Sequence, residues 1–262
     1  MPPASTPVTS ARTLWLVRHG ESTWNTQGLT QGHNDQAELT ARGKRQAAEI
    51  AERFAGLPVR AIYASDLRRA QQTAAPLAVA AGVPVVLDAR LRERSLGVLE
   101  GTPAAGNGPS VTGVDLEAGL LADPDTRPGG GESVRDLYRR AAAFCEFLVS
   151  LGGSDPPQTP PAHGGASRPP VPPAGGLLAP HTPAGFTHAG LTPAGFTPAG
   201  EAFGLPVPSS GDIVVVAHGG TLRVLRAYLS GVPVEEMDWA PLANATVLEF
   251  PEFGTMTRQG ER

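Results

Sequence analysis

A single cysteine, Cys145, is all the thiol chemistry that this 262-residue chain carries. It cannot close an internal disulfide and falls on the apolar face of an expected helix, so its expected role is core packing rather than catalysis. Positive charge is also scarce. The 21 Lys and Arg against 25 Asp and Glu leave a formal net charge of -4, without the broad basic field that nucleic-acid or anionic-membrane partners need. A local pair of arginines can still bind a phosphorylated small molecule inside an acidic protein. Long hydrophobic runs are missing near the start. Residues 1–13 are rich in Pro, Ser and Thr with one arginine, and the apolar run that follows, Leu14 to Val17, is too short for a signal-peptide core or a membrane span. A cytoplasmic location is therefore expected. What the composition does supply, 40% hydrophobic residues against 18% charged, is enough for a full core, and length alone allows one or two domains.

Two apolar runs stop at a His-Gly: Leu14-Trp15-Leu16-Val17-Arg18-His19-Gly20 and Ile213-Val214-Val215-Val216-Ala217-His218-Gly219. A buried strand ending this way delivers its polar side chain to the carboxyl edge of a sheet, where open α/β folds place their chemistry. Between these runs the pattern alternates. Thr40 reads as the N-cap of a helix through Phe54, with Ala47, Ile50, Ala51 and Phe54 at helical spacing. Val59 to Ala64 is a strand. Ser65 or Asp66 is the expected cap of a helix over 67–81 that closes on Gly82 and is bent by Pro76. Val83 to Leu87 is a third strand, and residues 101–131 form a Gly/Pro-containing connection with a weak helix near Asp115 to Leu121. Ser133 to Asp136 resembles a capping box for a helix with Val134, Leu137, Tyr138, Ala141, Phe144, Cys145 and Leu148 on one stripe. Ile213 to Ala217 is a strand, Thr221 to Leu229 a helix, and Ala245 to Phe250 the last strand. The alternation predicts an α/β domain, a three-layer α/β/α sandwich with a mostly parallel central sheet.

The alternation breaks at 152–211, which holds 14 prolines and 12 glycines but only three charged residues, a composition unable to build a core. A disordered insert is expected there. It contains a drifting pentad repeat: Thr182-Pro-Ala-Gly-Phe, Thr187-His-Ala-Gly-Leu, Thr192-Pro-Ala-Gly-Phe and Thr197-Pro-Ala-Gly-Glu. It is read as a low-complexity tract rather than a partner-binding segment. Loop-closure cost grows only with the logarithm of length, so the fold tolerates it. The expected organisation is one domain with a core over about 13–151 and 212–251. His163, His181 and His188 lie in the insert, leaving His19, His33 and His218 as candidates for chemistry.

Arg18 beside His19 makes a poor metal site, because a guanidinium stays protonated and repels a cation; none of the three histidines shows close ligand spacing. An anion suits the pair better. Arg69, at the start of a helix directly after a strand, can also reach the sheet edge. Guanidinium groups bind phosphate oxygens through paired, charge-assisted hydrogen bonds, and imidazole is a competent nucleophile toward phosphorus. Taken singly, a His-Gly at a strand end is more often a turn, and a helix arginine is more often solvated.

Together the residues resemble the histidine phosphatase superfamily, the phosphoglycerate mutase-like fold. The resemblance is carried by Arg18-His19-Gly20-Glu21-Ser22-Thr23-Trp24-Asn25, Gln31-Gly32 followed by Leu39-Thr40 and Gly43, Ser65 to Ala74, Leu91-Arg92-Glu93-Arg94-Ser95-Leu96-Gly97-Val98-Leu99-Glu100-Gly101, Gly130-Gly131-Glu132-Ser133 and Ala217-His218-Gly219-Gly220. It covers nearly all of the chain outside the insert. The stretch 33–38 departs from it, being one residue longer than usual and lacking the common proline at the pocket rim. The resemblance implies His19 as nucleophile, Arg18, Arg69 and His218 as the rest of the catalytic phosphate pocket, Glu93 as proton donor, and Asn25, Gln31, Gly32 and Gly219 as added substrate contacts. It implies no metal or cofactor. Glu21 and Glu100 are rival carboxylates, with Glu21 read as orienting its neighbours. The implied reaction is hydrolysis of a small phosphomonoester through a phosphohistidine. Residues 95–126 hold no Lys or Arg, which favours the phosphatase branch over a phosphoglycerate mutase. A phospho-ligand binding scaffold without turnover is the alternative from another class.

Overall fold

A computed structural model describes residues 12–104, 123–151, 196–197 and 210–253. The expected helix at Asp115 to Leu121 and nearly all of the 152–211 insert lie outside these residues. The described chain runs β1 (Arg12–Arg18), a short α1 (Thr23–Thr26), α2 (Ala41–Phe54), β2 (Val59–Ala64), α3 (Arg68–Ala81), β3 (Val85–Leu87), α4 (Val134–Ser150), β4 (Phe196–Thr197), β5 (Asp212–Ala217), α5 (Gly219–Leu229) and β6 (Val247–Phe253). The strands form one sheet in the order β4-β3-β2-β5-β1-β6. Every pairing is parallel except β1 with β6. The two-residue β4 lies within the stretch expected to be disordered and pairs with the outer side of β3.

The strands read as unbroken hydrophobic runs because the sheet is covered on both faces. Leu14, Leu16, Ile213, Val215 and Ala217 point to one side, where Leu137, Ala141, Phe144, Cys145 and Leu148 of α4 meet Leu222, Val224 and Leu225 of α5. Val17, Val214, Val216 and Ile62 point to the other, against Ile50, Ala51 and Phe54 of α2 and Ala70, Ala74 and Leu77 of α3. Phe54 and Phe144 are both fully buried, and removing either ring costs about 3–5 kcal/mol. The expected three layers are thus present.

Most ends follow local chemistry. Thr40 caps α2 through its hydroxyl to the Gly43 amide, and Ser133 with Asp136 forms the full capping box of α4. Gly82 ends α3 in the left-handed conformation, and Pro76 sits within a helix that continues on both sides of it. Three expectations are corrected. Neither Ser65 nor Asp66 is the N-cap of α3. That position is Leu67, which makes no side-chain cap, and the Arg68 amide instead donates to Asp35, a residue of the unusual 33–38 stretch. Asp66 is drawn off by an ion pair with Arg92. Helix α5 begins two residues earlier than expected, at Gly219 with His218 as N-cap. The last strand starts at Val247 because Ala245 has a left-handed φ of 61° that no strand accommodates.

Candidate active site

Strands β1 and β5 are adjacent and in register, Arg18 opposite Ala217, so the next residues, His19 and His218, leave the sheet side by side. The His19 amide donates to the Ala217 carbonyl at 3.0 Å. Their rings meet edge to face with centroids 5.2 Å apart. Nδ1 of His19 lies 2.7 Å from the Gly20 carbonyl. A carbonyl only accepts, so Nδ1 carries the proton and Nε2 keeps a lone pair. Burial, then Arg69 and Arg18, hold the His19 pKa well below its usual value, against a smaller opposing effect of the Gly20 bond. His218 is lowered in the same way by burial, Arg69, His19 and Arg18. Both imidazoles are therefore neutral.

Arg69 is wholly buried at 0% exposure. Its guanidinium is aimed by two carbonyls, NH1 donating to Asn34 at 2.9 Å and NH2 to Gly32 at 2.8 Å. Burial lowers its pKa to about 10, with Glu93, Asp35 and Glu100 opposing the shift, so it remains a cation at neutral pH. Arg18 is aimed by the carbonyl of Leu242, and its pKa is lowered by burial, with Glu93 opposing. Nε of Arg18, Nε of Arg69 and both ring nitrogens of His218 are buried with no hydrogen-bond partner among the described residues. Buried polar groups are normally paired. A cluster of buried unpaired nitrogens on Arg69, on the half-buried Arg18 and on His218 has the chemistry to receive an oxyanion.

Glu93 completes the group. Its Oε1 accepts the Arg94 amide at 2.8 Å, and its Oε2 accepts the Gly220 amide, in the first turn of α5, at 3.0 Å. Glycine at 220 lets the carboxyl come this close, since a Cβ would fall 2.4 Å from Glu93 Oε1 and push that side chain aside. Arg140 of α4, which sequence reasoning did not single out, clamps the segment from below. It donates to the carbonyls of Arg90, Arg92 and Glu93 and to the carboxylate of Glu132. Burial raises the Glu132 pKa, but the Arg140 bond and charge outweigh it and leave the net shift downward. An arginine on a helix that faces a loop distant in sequence leaves no local signal.

The other singled-out residues line or brace the same edge. Asn25 Oδ1 accepts the Ser22 amide in the capping box of α1, and Gln31 Oε1 lies 3.1 Å from the Ser22 hydroxyl. Gly32 has φ +50° and aims its carbonyl at Arg69; a Cβ there would strike Glu100. Gly219 brings the start of α5 to Arg18, whose Nε lies 3.5 Å from where a Cβ would sit. Of the rival carboxylates, Glu21 accepts Thr40 Oγ1 and pairs with Arg42, and Glu100 accepts the His33 and Leu96 amides and the Ser95 hydroxyl. Both brace loops. His33 stands at the rim, 3.7 Å from Glu132. Asn244 was also missed; it reaches the carbonyls of His19 and Gly20 from the segment before β6.

A family model described as histidine phosphatase superfamily (branch 1) matches residues 14–168 and 207–255. A probable phosphoglycerate mutase of Enterobacter sp. (strain 638) is 42% identical over 149 residues, covering 55% of this chain and 66% of that protein. The chain thus spans just under two thirds of the length of the curated relatives it matches. Among solved structures, a mycobacterial hydrolase is similar at TM-score 0.62 and 28% identity, with 94% of both chains covered. A mycobacterial glucosyl-3-phosphoglycerate phosphatase is similar at TM-score 0.61 and 28% identity, with 91% of this chain and 89% of that one covered. No helix among the described residues is long and apolar enough to cross a membrane.

Proposed function

Because this chain belongs to the histidine phosphatase superfamily, we propose that it is a phosphomonoesterase acting on a small phosphorylated metabolite through a phosphohistidine on His19. One observation carries the reading: a neutral histidine with its proton held on Nδ1 by Gly20 faces a cluster of buried, unpartnered Arg and His nitrogens. In the first step Nε2 attacks phosphorus in line. The bond from phosphorus to the ester oxygen breaks, and Glu93 in its acid form gives its proton to the departing alkoxide. Arg18, Arg69 and His218 spread the charge of the equatorial oxygens. In the second step water attacks the phosphohistidine, Glu93 takes the water's proton, and the P–N bond breaks to free phosphate and neutral His19. Asn25, Gln31, Gly32 and Gly219 contribute at the edge of the pocket, Asn25 through its amide and Gly32 by aiming Arg69.

Two observations favour hydrolysis over isomerisation: the absence of Lys and Arg from residues 95–126 and the near-complete coverage of the glucosyl-3-phosphoglycerate phosphatase, which has also been solved with inorganic phosphate. The identity to proteins named probable phosphoglycerate mutase favours a mutase as the second reading. Incubation with p-nitrophenyl phosphate, and with 3-phosphoglycerate plus a bisphosphoglycerate primer, in EDTA, separates them. Phosphate release by wild type that vanishes in His19→Ala supports the hydrolase. Isomerisation without release makes it a mutase, and inactivity on a broad phosphomonoester panel leaves a binding scaffold.

A further inference from the structure

We propose that Asn244 is a positioning residue for the phosphoryl transfer: its side-chain amide ties the carbonyls of His19 and Gly20 to Oδ1 of Asn25 and so holds the nucleophile tautomer and the orientation of Asn25 together. The assignment rests on the phosphohistidine reading. Nδ2 of Asn244 lies 3.3 Å from the His19 carbonyl, 3.5 Å from the Gly20 carbonyl and 3.1 Å from Asn25 Oδ1. All three are acceptors, so one donor group serves three atoms that the mechanism needs in place. The Gly20 carbonyl is the atom that accepts the hydrogen bond from His19 Nδ1–H, and a shift in it frees the ring to turn or to change tautomer. On Asn25, Oδ1 already accepts the Ser22 amide and the Ser22 hydroxyl lies 2.9 Å from it. With Asn244 donating to the same oxygen, the opposite end of that amide, the Nδ2 donor, is the end left for a substrate oxygen.

The backbone around Asn244 is built for this grip. The Ala245 amide also donates to the His19 carbonyl, the Arg18 amide donates to Thr246, and the Arg18 guanidinium donates to Leu242. Residues 242–246 therefore clasp Arg18, His19 and Gly20 from the side of β6. Ala245 is the one non-glycine residue at positive φ among the described residues. Such a conformation persists only where its surroundings over-determine it, and these cluster at functional sites.

The test uses the full chain with Asn244→Ala, alone and combined with Asn25→Ala. It is read by p-nitrophenyl phosphate kinetics, by acid-quench trapping of phosphohistidine, and by long-range nitrogen–proton NMR correlations of the His19 ring. Asn244→Ala is expected to lower the rate of phosphohistidine formation about tenfold to a hundredfold and to mix the Nε2-protonated tautomer into His19. It should also raise KM in the wild-type background but not in the Asn25→Ala background. A folded Asn244→Ala protein with the wild-type tautomer, or effects that simply add to those of Asn25→Ala, overturns the proposal. If Asn244→Ala does not fold, Asn244→Asp, which keeps the shape and loses the donor, is read in the same way, and unfolding of both assigns Asn244 to structure alone. A wild-type chain that hydrolyses nothing overturns the enzymatic reading by itself, because the tautomer comparison still decides the role of Asn244.

Discussion

His19 and His218 stand at the same level of two neighbouring parallel strands, with ring centroids 5.2 Å apart. Both are buried beside the buried Arg69 and the half-buried Arg18, an environment in which neither imidazole holds a second proton. The pair therefore behaves as one neutral element of a cationic pocket.

The first consequence is for stability against pH. Folding lowers both histidine pKa values, whereas unfolded histidines titrate near 6.5. The unfolded state binds more protons as pH falls, so stability is full well above about pH 6.5 and is lost progressively below it. Carboxylates with lowered values, such as Asp136, lose their contribution only below about pH 4.5. Urea unfolding should give a lower stability at about pH 5.5 than at about pH 7.5, and His218→Gln should narrow that difference. A flat profile over this window would refute the neutral pair.

Filling the pocket should stabilise the fold. An oxyanion satisfies nitrogens of Arg18, Arg69 and His218 that have no partner among the described residues, and it binds only the native state. Inorganic phosphate or vanadate at a hundred times its Kd should add about 2.7 kcal/mol, visible as a rise in Tm. Arg69→Gln should abolish the rise. A Tm shift that survives in Arg69→Gln would move the anion elsewhere.

Gly220→Ala places a methyl group 2.4 Å from Glu93 Oε1 and so displaces the carboxyl proposed as proton donor while touching neither Arg69 nor His19. The donor matters most for a poor leaving group. Hydrolysis of an alkyl phosphate should fall at least about tenfold, and that of p-nitrophenyl phosphate, whose phenolate needs little help, about threefold or less. Equal losses on both substrates would argue against Glu93 as the acid.

Cys145 is buried in the core, and burial raises its thiol pKa to about 12. The native protein should resist a disulfide reagent at neutral pH for as long as it stays folded, and should label stoichiometrically in denaturant. Rapid labelling of native protein would mean that α4 opens locally.

The layers were legible because each strand is an uninterrupted apolar run and each helix carries one apolar stripe: Val214 and Val216 serve one face of the sheet, Val215 the other. His19 and His218 were legible for the same reason, each standing just before a glycine where such a run ends, His218 directly after Ala217 and His19 one residue on, after Arg18. What escaped were partners distant in sequence. Asp35 caps a helix that begins at Arg68, Arg140 holds the carbonyl of Glu93, and Asn244 holds that of Gly20. Each acts through side-chain hydrogen bonds across the fold and leaves no periodicity or composition behind. The left-handed Ala245 was missed because nothing local favours that conformation in alanine; the contacts of its neighbours impose it.

Strand β1 sits between β5 and β6, so both of its neighbours in the sheet come from residues beyond 211. During synthesis β1 emerges some two hundred residues ahead of β5 and β6 and stays without either edge partner until they follow. Pairings across some two hundred residues are slow to find, because the closure entropy of the intervening chain is lost before any contact repays it. Residues 59–87, with β2, α3 and β3 in local succession, make the natural nucleus, and β1 docks last. The hydrophobic Leu14 to Val17 segment is thus exposed for longest, so shortening the 152–211 stretch should speed refolding and reduce aggregation during it.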